Sequence, residues 1–326
     1  MATTGTEATA TTTGLPVTSS LSDNRPEPAW LTHIKEEMLR DDFDDDERGK
    51  LTALRTMLEA PGDDAVAAKQ AARTVLDLYN NGWLRKHPKW LLGLKDHGLV
   101  NYLAEIAEFT LELGFFVSFG SSELNRAFLL LIELEALGPE AFGVKDPGFS
   151  YYKHAMAIAL REVCHGSMAP RQAVGPRVTA AEIRKRCERA LCVSDLMAKL
   201  YVAGLLNHYE EPYIYPACNI YDGLCLRPGR PGPPPATELA RRCGVKIAAQ
   251  GILIAGESLA REIKSGPPRR LLHCGEYEWK VWEKEFRRLS KAIPDDAEWG
   301  LKEDVLNAHA KILELFPEWF GADRRQ

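Results

Sequence analysis

The chain lacks the features that identify a nucleotide-binding loop, a membrane span or a secretory signal. Neither Gly-x-x-x-x-Gly-Lys-[Ser/Thr] nor Gly-x-Gly-x-x-Gly occurs in its 326 residues, which argues against the usual phosphate-binding loops. No stretch reaches the ~18 uninterrupted apolar residues that a membrane span needs. The most apolar stretch, Cys243 to Gly256, contains Lys246 and Gln250, and we interpret it as a buried core helix.

Cysteine and basic charge are also limited. The seven cysteines are an odd number with no regular spacing, which indicates reduced thiols in an intracellular protein. The Thr- and Ala-rich N-terminus has neither a basic region nor a continuous apolar segment, so it is not a secretory signal. A net charge of −5 provides no long-range attraction to nucleic acid or anionic lipid. We therefore expect a soluble cytoplasmic protein that binds neither nucleic acid nor membrane.

Alternating strand patterns are scarce, and helical periodicity dominates the chain. Only 117–119 and 251–254 could be short strands, and both lie between helical segments. No repeat of 33–47 residues is found, which argues against a solenoid. The predicted fold is all-α, a compact array of about ten to twelve amphipathic helices, irregular rather than a repeat solenoid. The helices are predicted at 30–40, 46–59, 63–80, 98–116, 121–137, 148–164, 179–206, from 216, and at 237–264, 276–292 and 299–316.

The clearest helical pattern is an aromatic stripe near the C-terminus. Its five large apolar residues follow one another at i, i+3, i+7, i+10 and i+14, while charged residues fill the other faces. This spacing predicts a helix whose aromatic side chains anchor the core. The stripe consists of Trp279, Trp282, Phe286, Leu289 and Ile293.

Composition also divides the chain. Residues 1–28 are of low complexity and predict a disordered N-terminal arm, and residues 321–326 form a short tail. The helical domain occupies 29–320. A Pro/Gly-rich linker at 227–236 leaves open whether this domain consists of two lobes, 29–226 and 237–320.

An aspartate run is the sharpest candidate for chemistry. Asp41, Asp42 and Asp45 form Asp-Asp-x-x-Asp, the arrangement by which class I terpene and prenyl-chain enzymes hold Mg²⁺ against a diphosphate. However, only one short helix precedes the run, and no second metal motif follows it. Aspartates also suit the start of the next helix because they complement its dipole. We expect no metal here, and keep the magnesium site as the alternative.

Other polar patterns lack the context that catalysis needs. Gly256-Glu257-Ser258 resembles part of a nucleophile elbow, but no oxyanion loop precedes it and helices follow it. The adjacent pairs Cys164-His165 and His273-Cys274 leave a nucleophile–base pair open, and Arg287-Arg288-Leu289-Ser290 leaves phosphorylation of Ser290 open. The remaining cysteines are not spaced as zinc ligands, and we expect core positions for Cys187, Cys192, Cys218 and Cys225.

Three stretches in succession carry a resemblance. They are 195–206, 248–258 and 277–286, the last containing Trp-x-x-Trp-x-x-x-Phe. This order resembles an uncharacterised family of all-helical proteins from filamentous fungi, although Gly251 stands where that family tends to have Trp. The resemblance covers the C-terminal part best, and it implies a helical fold and no particular activity.

These observations predict a general class of function rather than a particular activity. The absence of catalytic constellations favours a non-enzymatic intracellular interaction or regulatory protein that has a protein partner and no cofactor. The alternative is a helical enzyme or small-molecule binder that uses Mg²⁺ and a diphosphate at the run from Asp41 to Asp45. Oligomeric state and the identity of any partner stay open.

Overall fold

A computed structural model describes residues 26–86, 95–143, 151–167, 178–206, 216–224, 226–227, 230–231, 237–265 and 275–320. These ranges form an all-α protein, and eleven of the helices have eight or more residues, which confirms the predicted irregular array. In the N-terminal part the helices are α1 (Ala29–Met38), α2 (Asp45–Glu59), α3 (Asp64–Leu78), α4 (Leu84–Lys86), α5 (Lys95–Leu113), α6 (Ser122–Ala141) and α7 (Tyr151–Ser167). A π-helical turn, Tyr79–Trp83, joins α3 to α4.

The rest of the chain continues with helices and one short hairpin. The helices are α8 (Ala180–Val202), α9 (Pro216–Gly223), α10 (Glu238–Ser265), α11 (Glu276–Ala292), α12 (Leu301–Leu315) and α13 (Pro317–Phe320). A 3₁₀ turn at Glu298–Gly300 precedes α12. The two-residue strands β1 (Leu226–Arg227) and β2 (Arg230–Pro231) pair antiparallel, with Leu226 opposite Pro231.

The longest helix, α10, packs against α8, α9 and α12. Close approach to α9 requires glycine, since a Cβ at Gly223 would lie 2.2 Å from the carbonyl oxygen of Gly244. A Cβ at Gly251 would lie 2.9 Å from Ile220, so the position that would match Trp in the resembled family has no room for a large side chain. The strand considered at 251–254 is wrong, because these residues continue α10.

By length and composition α10 is, within the described ranges, a helix that could cross a membrane. However, 72 % of its most apolar 18-residue stretch is buried inside the protein. That burial is typical of the core helix of a soluble protein, because a membrane-spanning helix would expose its apolar side chains to lipid.

The aromatic stripe of α11 is buried as predicted. Trp279, Trp282 and Phe286 are fully buried, and Leu289 and Ile293 are at most 3 % exposed. The indole rings of Trp279 and Trp282 lie 5.3 Å apart, and Phe316 packs edge-on against Trp279 at 4.7 Å. The stripe therefore joins α11 to the end of α12 by aromatic packing.

One connected hydrophobic core extends from Trp30 in α1 to Phe316 after α12. Helices α8 and α10, which lie on opposite sides of the predicted linker, make extensive contact. The division into two lobes stays a prediction. Most of the predicted arm (residues 1–25), residues 228–229 and 232–236 of the linker, and the tail 321–326 lie outside the described residues.

A buried arginine ties three N-terminal helices together. The Arg126 guanidinium, on α6, donates to the carbonyl oxygens of Met57, Leu58 and Ala60 at 2.7–3.0 Å, at the end of α2. It also bonds to Asp64 of α3 at 2.7 Å. The last carbonyls of a helix have no partner within it, so Arg126 supplies the missing donors.

Candidate functional site

A cavity that combines charged and aromatic side chains lies between α1, the loop before α2, and α5. Its volume is about 330 Å³, which is within the usual range for small-ligand sites. We call it the acidic cleft. It is lined by His33, Glu37, Arg40, Phe43, Glu47, Glu105, Glu108, Phe109, Glu112, Phe115 and Phe116.

Aromatic rings form its apolar walls. The imidazole of His33 stacks on Phe116 with the ring centres 3.9 Å apart. Phe43, which interrupts the aspartate run, is buried and packs against Phe109 with the ring centres 5.8 Å apart. The Arg40 guanidinium lies 4.6 Å from the centre of the Phe43 ring. Faces of this kind attract cations, and a second guanidinium, that of Arg189, lies 6.0 and 5.6 Å from the ring centres of Phe115 and Phe116.

Most of the charged groups around the cleft have partners in the chain. Arg40 bonds to Glu37 at 2.9 Å and to Asp42 at 2.8 Å, so two carboxylates already balance its charge. The buried Lys50 ammonium donates to Glu105 and lies 4.1 Å from the centre of the Tyr102 ring. Both cations are therefore paired with carboxylates other than Glu108 and Glu112.

Glu108 and Glu112 are the two carboxyl groups of the cleft whose ionisation the surroundings disfavour. They lie four residues apart on α5, a spacing at which like charges repel each other. Burial, followed by repulsion from Glu162 and Glu105, raises the pKa of Glu108. Burial and the neighbouring Glu108 and Glu37 carboxylates raise the pKa of Glu112 to about 7, against a smaller opposing effect of Arg40. Ionisation of these groups is unfavourable until a cation arrives.

His33 does not supply that cation. Burial lowers the pKa of its imidazole, and this effect outweighs the attraction of Glu37 and Glu36. The ring is therefore neutral at physiological pH and acts as part of the aromatic wall. The cleft is a site rich in carboxyl groups with aromatic walls.

The aspartate run lies at the edge of this cleft and forms a helix cap. Asp44 accepts hydrogen bonds from the backbone N–H groups of Asp46 and Glu47 at 2.8 and 2.9 Å. The Asp44 N–H in turn donates to the Glu47 carboxylate at 2.7 Å, which completes a capping box. This cap gives a structural basis for the interpretation that the aspartates complement the dipole at the start of α2.

The predicted metal ligands are all exposed. Asp41 and Asp42 lie in the loop after α1, where Asp42 pairs with Arg40, and Asp45 lies 3.9 Å from Arg48 at the start of α2. Within the described ranges, no group of three or more His, Cys, Asp or Glu residues could hold a metal ion. The magnesium site at Asp41, Asp42 and Asp45 stays an alternative prediction.

The other predicted positions are spread over separate helices. Ser258 is half-buried inside the continuous helix α10, which lacks the strand–turn–helix of a nucleophile elbow. Ser290 is half-buried on α11 and donates to the Arg287 carbonyl oxygen at 2.9 Å. His273, Cys274 and Cys225 lie outside the described residues, and the side chains of Cys164 and His165 are not described.

The sequence interpretation missed the acidic cleft. Glu105, Glu108 and Glu112 follow one another at i, i+3 and i+7, a spacing that places them on one face of α5. That spacing was available in the sequence, but it is equally typical of a solvated face. Only the packing of α5 beside α1 shows that this face borders a cavity.

Comparisons with family models, with curated proteins and with solved structures find no match to this chain. The resemblance to fungal helical proteins therefore stays a prediction. Any function must be argued from the cleft itself.

Proposed function

We propose that this chain is a non-enzymatic interaction protein of the cytoplasm whose acidic cleft receives an arginine or lysine side chain from a basic segment of a partner protein. The observation that carries the proposal is the excess of carboxylates among aromatic walls in a cavity of about 330 Å³. Burial and neighbouring carboxylates disfavour the ionised forms of Glu108 and Glu112 there, and a bound cation would favour them.

The chemistry of the cleft favours an organic cation over a metal ion. A guanidinium can stack on a phenyl ring and bond to two carboxylate oxygens at once, and the cleft offers both kinds of surface. Divalent metals need clustered oxygen ligands, and the described residues contain no such cluster.

A protein partner is favoured over a free polyamine by the surface next to the cleft. Leu39, which directly precedes Arg40, is 80 % exposed. A partner chain that continues beyond its basic side chain could cover this leucine, whereas a small cation inside the cleft could not. Electrostatic attraction would speed the encounter and select basic segments over acidic ones.

The test is a binding titration with a fluorescent peptide of alternating arginine and glycine, followed by anisotropy. The cleft variant Glu108→Gln/Glu112→Gln should weaken binding about tenfold or more, since one lost charge contact commonly contributes more than 1.4 kcal/mol. The matched control Glu36→Gln/Glu303→Gln replaces the same number of glutamates at two exposed positions. It should retain the affinity within about twofold, as expected for exposed charges.

Each alternative gives a different result. Equal weakening in both double variants would show non-specific attraction to an acidic protein and would contradict the proposal. If free spermidine binds as tightly as the peptide and Leu39→Ser has no effect, the ligand of the cleft is a polyamine rather than a partner protein. A Mg²⁺-dependent thermal shift with a prenyl diphosphate, lost in Asp41→Ala/Asp45→Ala, would favour the diphosphate alternative.

A further inference from the structure

A pair of buried cysteines lies where α8 packs against α10, away from the acidic cleft. Cys187 is 1 % exposed and Cys243 is fully buried, and both belong to a small hydrophobic cluster with Ile183, Leu191 and Ile247. The Cys243 thiol lies 3.5 Å from the carbonyl oxygen of Cys187. A disulfide needs the two Cα atoms within about 7 Å of each other, and here the thiol of one cysteine reaches the backbone of the other.

The two thiols also interact with each other. A hydrogen bond from Cys243 lowers the pKa of the Cys187 thiol and raises that of Cys243. Two other described cysteines behave in the opposite way, because burial raises the pKa of Cys192 to about 12 and that of Cys218 to about 11. Thiolates are the reactive form of cysteine, so Cys187 is the nucleophile of the pair.

A tryptophan covers this cluster in a strained backbone conformation. Trp299 packs against the cluster, and in the described ranges it is the one non-glycine residue with positive φ, at 61°. Two contacts hold its turn in place. Glu298 pairs with Arg184 of α8 at 2.6 Å, and the Lys246 ammonium donates to the Trp299 carbonyl oxygen at 2.5 Å. Trp299 is one of four partly buried side chains that pack against the cluster, and opening of its turn would loosen this cover while the helices stay folded.

We propose that Cys187 and Cys243 are a redox pair that a hydroperoxide oxidises to a disulfide between α8 and α10. The Cys187 thiolate attacks the peroxide, the O–O bond breaks, and Cys187 becomes a sulfenic acid while hydroxide leaves. Cys243 then attacks that sulfur, the S–S bond forms, the S–O bond breaks, and the second hydroxide leaves. Each hydroxide takes one proton of the original thiols. Two thiols and one hydrogen peroxide thus give one disulfide and two waters.

The experiment treats the full chain with hydrogen peroxide, alkylates the remaining thiols, and maps the unreduced digest by mass spectrometry. The expected product is a peptide pair linked through Cys187 and Cys243 that dithiothreitol separates. In Cys243→Ala, dimedone should label Cys187 instead, and circular dichroism checks that this variant is folded. Oxidation of Cys192 or Cys218 while Cys187 and Cys243 stay reduced would overturn the proposal, and this wild-type result requires no variant to fold.

The role of Trp299 in access to the thiols is tested by the rate at which the disulfide forms. Trp299→Gly removes one of the side chains that pack against the cluster and relieves the positive φ, so the linked peptide should form several times faster than in the wild type. Trp319→Gly is the matched control, because it also removes a half-buried indole, one that stacks on Phe316 rather than on the cysteine cluster. Equal rates in the two variants would show that the Trp299 turn does not control access.

Discussion

At the scale of single residues, Glu112 couples the electrostatics of the cleft to pH. Its pKa of about 7 lies above the ordinary value of 4.5, so the folded protein binds the proton more tightly than the unfolded chain does. The free energy of unfolding should therefore fall as the pH rises from about 4.5 through about 7. The carboxylate is partly exposed, and solvent screening reduces the size of the effect.

Glu112→Gln isolates this effect, because the amide keeps the shape of the side chain and cannot ionise. We expect the variant to be more stable than the wild type by about 1 kcal/mol at a pH above 7, and equally stable near pH 4. Urea unfolding at the two pH values measures the difference, with Glu36→Gln as the control. A gain of the same size at both pH values would show that packing, rather than charge, is responsible.

The ionisation of Glu112 should also affect the binding of the arginine peptide. Since a bound cation stabilises the ionised carboxylate, the affinity for the arginine peptide should rise as the pH increases from about 6 to about 8. Isothermal titration in buffers of different ionisation enthalpy should show proton release on binding. An affinity that is independent of pH, or that falls over this range, would remove Glu112 from the binding site.

At the scale of helices, the contact between α9 and α10 depends on two glycines. Alanine is usually the better helix former, by about 0.5–1 kcal/mol. However, a Cβ at Gly223 would lie 2.2 Å from the Gly244 carbonyl oxygen, and backbone cannot move aside cheaply. We therefore expect Gly223→Ala to lower the free energy of unfolding by about 2 kcal/mol.

Gly49→Ala is the matched control for this substitution. Its Cβ would lie 3.1 Å from the end of the Leu78 side chain, which can rotate away. The stability of that variant should stay within about 1 kcal/mol of the wild type. If both alanine variants were equally stable in urea, the close approach of α9 and α10 would not be needed for the fold.

The positions of the helices were easier to predict from the sequence than the contacts between the helices. The stripe from Trp279 to Ile293 predicted α11 at its observed bounds because periodicity is a local property of the chain. The clamp that Arg126 makes on the end of α2 was not predictable, since an arginine in a helix usually points to solvent. The acidic face of α5 was visible as a pattern, but its neighbours come from α1 and the loop that follows it.

At the scale of the whole molecule, the connected core is relevant to whether the helical domain consists of one lobe or two. Helices α8 and α10 join the two sides of the predicted linker, so we expect one cooperative unfolding transition. Far-ultraviolet circular dichroism and tryptophan fluorescence should give coincident urea curves. Two separated transitions would instead support lobes at 29–226 and 237–320.

The position of α10 in the chain also has a consequence for synthesis on the ribosome. Two of the helices that cover α10, α8 and α9, precede it, but the third, α12, follows it. The Lys246 ammonium, buried in the finished protein, finds its partner Asp304 only when α12 has been made. Until then a newly made α10 exposes an apolar face and an unpaired charge, so this half of the core closes after most of the chain has been translated.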